Sequence, residues 1–162
     1  MSHDKSSKQR RVDLRFDSID QVLAEVERIA SADRAGKLVA LGNWTPGEIL
    51  SHVAAWIEYG YQGYPMKKAP WLLRVILRLG LGRILSKGMS AGMRIPGAQE
   101  GTYGMEKMET QAAAQRLQAA FMRLQSGEEA SFDSPAFGPM SHDDRIRLNL
   151  RHAELHLSHL SY

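Results

Sequence analysis

Residues 45–48 read Thr-Pro-Gly-Glu, and no other four residues restrict the folding of this chain as much. Thr45 can accept a hydrogen bond from the N–H three residues on. Pro46 fixes φ at a position where a missing N–H costs nothing, and Glu48 can return a bond to the Thr45 backbone. The tetrapeptide predicts a helix that runs through Ile49–Tyr59 and ends near Gly60 or Gly63. A weaker start at Ser18, with Gln21 three residues on, opens a segment whose Ile19, Val22, Leu23, Val26 and Ile29 follow helical spacing to about Ala32. The same periodicity predicts a third helix from about Gly104 to Gln125, with Met105, Met108, Ala112, Leu117, Phe121 and Leu124 as core candidates. A fourth is expected to start at Ser141, with Asp144 at its third position, and to continue almost to Tyr162. No alternating strand pattern competes, and Val12–Phe16 is the one candidate extended piece. The expected fold class is all-α, an antiparallel four-helix bundle.

With 162 residues, 43% of them hydrophobic, the chain is long enough for one core, which predicts a polar flexible tail over 1–12 and a single domain over 13–162. Twenty-one Lys and Arg against 18 Asp and Glu leave a net charge of +3, far from the imbalance of a nucleic-acid binder. The absence of cysteine excludes disulfides, thiolate ligands and a cysteine nucleophile, so any thiol chemistry must draw its sulfur from a second molecule. No apolar stretch follows Arg10 and Arg11 as an export signal requires, and a cytoplasmic location is the expectation.

Between Pro65 and Pro96 the chain carries Lys67, Lys68, Arg74, Arg78, Arg83, Lys87 and Arg94 and no acid. This segment predicts one or two short basic helices inserted between the second and third bundle helices, with Arg74 and Arg78 on the solvated side of a lid. Attraction to a membrane surface or an anionic ligand is the alternative. The apolar run is broken by arginines and shorter than the ~20 residues of a membrane span, so stable membrane insertion is not expected. Gly-Met-Ser-Ala-Gly at 88–92 matches a nucleophile elbow in letters only, because Ser90 has no predicted strand before it.

The chemistry concentrates in histidine. His152, His156 and His159 fall with Leu148 in a narrow arc of the last helix, flanked by Leu155. Ile146, Leu150, Ala153, Leu157 and Leu160 continue that arc, while Arg147, Arg151, Glu154 and Ser158 take the opposite side. An i, i+4 histidine pair can reach one ion, and a closed site needs a third ligand. His52 is the candidate, with Glu48 one turn before it and Trp56 one turn after. The competing reading is a set of hydrogen-bonded core imidazoles. Glu48 is likewise either a general base or only the capping residue of its helix. His3 and His142 are expected to be solvated.

The runs Asn43–Trp56 and Ser134–His156 resemble the DinB-like (YfiT-like) superfamily of small bacterial proteins, in an uncharacterised branch. The resemblance implies a four-helix bundle, often a homodimer, holding a divalent metal, zinc or nickel first among the candidates, on His52, His152 and His156. Many relatives carry a further histidine where this chain has Leu155. That leaves open whether His159 is a fourth ligand, a partner of a ligand or a surface residue. The resemblance also implies a metal-dependent transferase using a low-molecular-weight thiol; a small-molecule substrate is expected, with Trp56 and Tyr59 on the pocket wall. A metal-dependent hydrolase with Glu48 as base, and a non-catalytic module with a structural metal or histidine core, are the alternatives.

Overall fold

A computed structural model describes residues 10–95, 98 and 100–162; residues 1–9, His3 included, lie outside it. The described residues are mostly helical, with five helices and one two-stranded ladder. The order is α1 (Ile19–Arg34), β1 (Val39–Ala40), α2 (Pro46–Gln62), α3 (Trp71–Lys87), α4 (Thr110–Gln125), α5 (His142–Leu157) and β2 (Leu160–Ser161). Helix α2 packs against α4 and α5, α1 against the same two, and α3 against α5. One core joins α1, α2, α4 and α5, centred on fully buried Val22, Ile29, Leu50, Val53, Leu117, Phe121 and Leu157. Each such large aliphatic or aromatic side chain contributes roughly 1.5–3 kcal/mol by leaving water.

All three capping predictions hold, the Ser141 hydroxyl accepting from the Asp144 N–H at 3.1 Å. Ser18 accepts from the Gln21 N–H, and at α2 the box is complete: Thr45 accepts from the Glu48 N–H, and the Glu48 carboxylate accepts from the Thr45 N–H at 2.8 Å. Helix α2 ends at Gln62, with Gly63 as its cap.

Helix α4 begins at Thr110, six residues later than the periodicity predicts. Gly104 takes φ +82°, outside the helical region, and the chain from there to Glu109 runs along α2, where the Ser51 hydroxyl donates to the Glu106 carbonyl at 2.9 Å. Met108 still packs on the core, whereas Ala112 is exposed and the adjoining Ala113 and Ala114 are buried. The later start changes which residues face inward.

Helix α5 stops at Leu157 instead of continuing to the C-terminus, because Leu160 and Ser161 pair antiparallel with Ala40 and Val39. The Leu41 N–H adds a bond to the His159 carbonyl at 2.8 Å. Two-residue strands are too short to show alternation in a sequence, and Val12–Phe16 forms no strand.

That N-terminal segment instead straps α5. Arg11 donates from its backbone to the Ser158 carbonyl and from its side chain to Glu25 at 2.6 Å, and the Glu154 carboxylate accepts from the Phe16 N–H at 2.7 Å. Arg151 donates to the Phe16 carbonyl. Arg151, Glu154 and Ser158, assigned by periodicity to the side away from the core, are therefore buried. His142 is not freely solvated either, since its Nε2 lies 2.9 Å from the Leu124 carbonyl.

The basic insert is one helix, α3, of 17 residues. Arg78 is exposed, as expected of the solvated side, and also donates to the Phe137 and Pro139 carbonyls, whereas Arg74 is half-buried against Gly138. Residues 88–92 follow α3 as loop and turn, without the strand a nucleophile elbow needs. Among the described residues no helix is long and apolar enough to cross a membrane.

Candidate metal centre

The sixth helical position after Pro46 is His52, and the capping box that fixes the start of α2 also fixes its direction into the core. His52 is 2% exposed and sits between Leu50 and Val53, both inaccessible to water. Helix α5 brings His152, one turn before His156, to the same place, and a ring-nitrogen atom from each of the three lies within 4.8 Å of the other two. His52 and His152 meet Nε2 to Nε2 at 3.2 Å. Ring centroids stand 4.4 Å apart for His52 and His156 and 4.6 Å for His152 and His156.

The tautomer of His52 follows from its other nitrogen. Nδ1 lies 2.9 Å from the Tyr103 carbonyl, which can only accept, so Nδ1 carries the hydrogen and Nε2 presents a lone pair toward His152. Trp56 donates its indole N–H to the same carbonyl at 3.1 Å. Burial drives the His52 pKa down to about 4, against the opposing effect of the Tyr103 bond. Burial also holds His152 well below its ordinary range, helped by His52, and does the same to His156, helped by His152, His52 and His159. Near neutral pH all three imidazoles are uncharged, the form in which histidine binds a cation.

Four-coordinate metal–imidazole bonds of ~2.0–2.1 Å set neighbouring ligand nitrogens about 3.3 Å apart. The 3.2 Å between His52 and His152 fits that spacing. The donor set fits too: three neutral nitrogens, one of them oriented by a hydrogen bond from its far side to a backbone carbonyl, as metal-bound histidines usually are.

Aromatic rings enclose the cluster. Trp44 stacks on His156 at 5.5 Å with 4° between planes and meets His52 edge-on at 5.1 Å. Trp56 stands 6.2 Å from His52 and 5.9 Å from His152, with Tyr59 and Tyr64 beyond it at 5.8 and 6.3 Å. Burial raises the pKa of both tyrosines above the ordinary phenol value.

Of the residues singled out by sequence, His52, His152, His156, Trp56 and Tyr59 come together. His159 does not join the group whose ligand atoms converge; it lies half-buried beside the β1–β2 ladder, near Gly42. Glu48 also stays outside that group, with its carboxylate on the Thr45 N–H and hydroxyl. Sequence reasoning missed Trp44, Tyr64 and the Tyr103 carbonyl. Trp44 had a usable signal, since it directly precedes the Thr45 cap and so is delivered to the mouth of α2. A backbone carbonyl 51 residues from its partner has none.

A cleft of about 600 Å³ lies elsewhere, between the N-terminal strap, α3 and α5, lined by Arg15, Arg78, Leu81, Arg147 and Arg151 among others and by no cluster histidine.

The family model described as "Protein of unknown function (DUF1569)" matches residues 8–162. No curated protein and no solved structure matches the chain.

Proposed function

We propose that this chain, which belongs to the DUF1569 family, is a metal-binding protein whose single divalent-metal centre is held by His52, His152 and His156. The family match takes in all three, so they are equipment of one domain. The observation that carries the reading is the convergence on one point of three neutral imidazoles from two helices, His52 and His152 buried and His156 half-buried, with His52 locked in the tautomer that offers its inward nitrogen. We read α1, α2, α4 and α5 as an antiparallel four-helix bundle of the DinB-like type, with α3 as its insert.

A divalent ion on three imidazoles supplies Lewis acidity and leaves a coordination position for an incoming group, the pattern of a reactive site more than of a closed structural one. The chain's own residues then have separate tasks. The Tyr103 carbonyl fixes the His52 ring, the Trp44 face holds the His156 ring, and Trp56, Tyr59 and Tyr64 wall the approach against bulk water. Within that frame we propose a transferase acting on a small molecule with a low-molecular-weight thiol as co-substrate. The cysteine-free chain is compatible with this, since the thiol arrives with its own sulfur. A hydrolase with Glu48 as base is the weaker reading, because the Glu48 carboxylate is engaged by the helix cap.

One observation favours a second reading. A 3.2 Å Nε2–Nε2 separation is also that of a direct hydrogen bond, which would make the imidazoles a metal-free polar core. Metal analysis of untagged protein separates the two: about one equivalent of zinc, nickel or another divalent ion, lost in His52→Ala and His152→Ala, is the expected result. Metal-free wild type, or variants that keep their metal, would leave the hydrogen-bonded core. Metal-dependent turnover of an electrophile with added thiol then tests the transferase reading.

A further inference from the structure

Helix α3 leaves a large part of its apolar surface to water, while Arg74 is half-buried against Gly138 and Arg78 reaches the carbonyls of Phe137 and Pro139. Trp71 is 74% exposed, Leu72 57%, Val75 48%, Ile76 58% and Leu79 82%, while Leu81 is buried and Leu77, Ile84 and Leu85 are half-buried. At about 100° per residue the five exposed side chains share one arc, and Arg83 and Lys87 continue it along the last two turns. Surface helices of globular proteins present the reverse pattern, and a contiguous outward apolar patch marks a binding surface. Lys67, Lys68, Arg83 and Lys87 are all exposed, and no acidic residue occurs between Tyr59 and Gln99.

We propose that α3 docks this protein on the surface of an anionic lipid bilayer. Trp71, Leu72, Val75, Ile76 and Leu79 enter the boundary between headgroups and acyl chains, and Lys67, Lys68, Arg83 and Lys87 meet the lipid phosphates. A helix lying in the membrane plane needs this composition: large apolar and aromatic side chains on one face with cations beside them. Its 17 residues extend over about 25 Å, and no helix among the described residues can cross a membrane, so the association is peripheral.

Charge chooses the lipid over a second copy of the chain. A two-fold pairing of α3 helices sets Lys67 and Lys68 against either their own counterparts or Arg83 and Lys87. In both arrangements cations face cations, with no carboxylate in the segment to separate them. Anionic headgroups supply the missing charge, at about 1 kcal/mol per basic residue near the surface.

Co-sedimentation of the full chain with lipid vesicles tests the assignment. The protein is expected to bind vesicles of mixed phosphatidylcholine and phosphatidylglycerol at least about tenfold more tightly than phosphatidylcholine alone, and to be released by salt. Leu72→Ser with Leu79→Ser should weaken binding about tenfold or more, as should Arg83→Glu with Lys87→Glu. Circular dichroism should be unchanged in both pairs, since these side chains point outward. Equal binding to both lipids, no binding to either, or retention by both variant pairs would overturn the proposal. So would a dimer in sedimentation velocity that Leu72→Ser with Leu79→Ser dissolves, which would give the face to a second copy.

Discussion

His52 and His152 stand a hundred residues apart in the chain and 3.2 Å apart at their Nε2 atoms. The Tyr103 carbonyl supplies the reason that this pair is directional. By taking the His52 Nδ1 hydrogen it leaves one lone pair facing inward, so a proton or a cation must lie between the two rings. Protonating either ring outright means charging a site from which water is excluded.

That cost sets an acid limit on the metal-free protein. The His52 pKa is about 4 in the folded chain against an ordinary 6.5, so the unfolded chain binds the proton first. Its contribution is complete above about pH 6.5 and is lost as pH falls toward about 4, amounting to on the order of 3 kcal/mol. His152 and His156 act in the same direction. Urea unfolding of metal-free protein at several pH values should show stability declining through this window; a flat profile would mean the rings are hydrated in the folded state.

Trp44→Ala should loosen the His156 ring, which now stacks on the indole. Removing a group that orients a ligand typically costs 10- to 100-fold in metal affinity, and the expected loss here is about tenfold. Competition with a chromophoric chelator, well below the unfolding temperature, measures it.

Gly47→Ala tests the register between α2 and the segment before α4. A Cβ at Gly47 would overlap the Met108 carbonyl, a backbone group that cannot swing aside. The expected cost is about 2 kcal/mol, or roughly 4–8 °C in melting temperature for a chain of this size. An unchanged melting temperature would show that residues 105–109 can lift off α2 freely.

Glu25 is nearly inaccessible on α1 and accepts from Arg11, Arg28 and Tyr162. Burial pushes its pKa up, but the three hydrogen bonds together outweigh it and hold the carboxyl below its ordinary value. Its stabilisation is therefore present above the ordinary carboxylate range and lost as pH falls below it. Glu25→Gln should cost about 2 kcal/mol at neutral pH. The difference from the parent chain should shrink in strong acid, where Glu25 is itself protonated; chemical denaturation at neutral and acidic pH reads both.

What the sequence determined by itself is local. Thr45, Pro46 and Glu48 fix the start of α2, Ser18 and Ser141 fix two more helices, and helical periodicity puts His152 and His156 one turn apart. These features depend on neighbours within four residues, so they are readable without the fold. Tertiary structure decided everything that depends on a distant backbone. Glu154 and Arg151 look like surface residues until the strap through Phe16 covers them, and Gly104 is an ordinary helix position until α2 and Tyr59 crowd it. The same holds for α3, whose arginines read as its solvated side. In the folded chain Arg78 stays exposed but is tied to the carbonyls of Phe137 and Pro139, Arg74 is half-buried against Gly138, and an apolar face is left to water beside them, because a loop 60 residues away offers acceptors that periodicity cannot register.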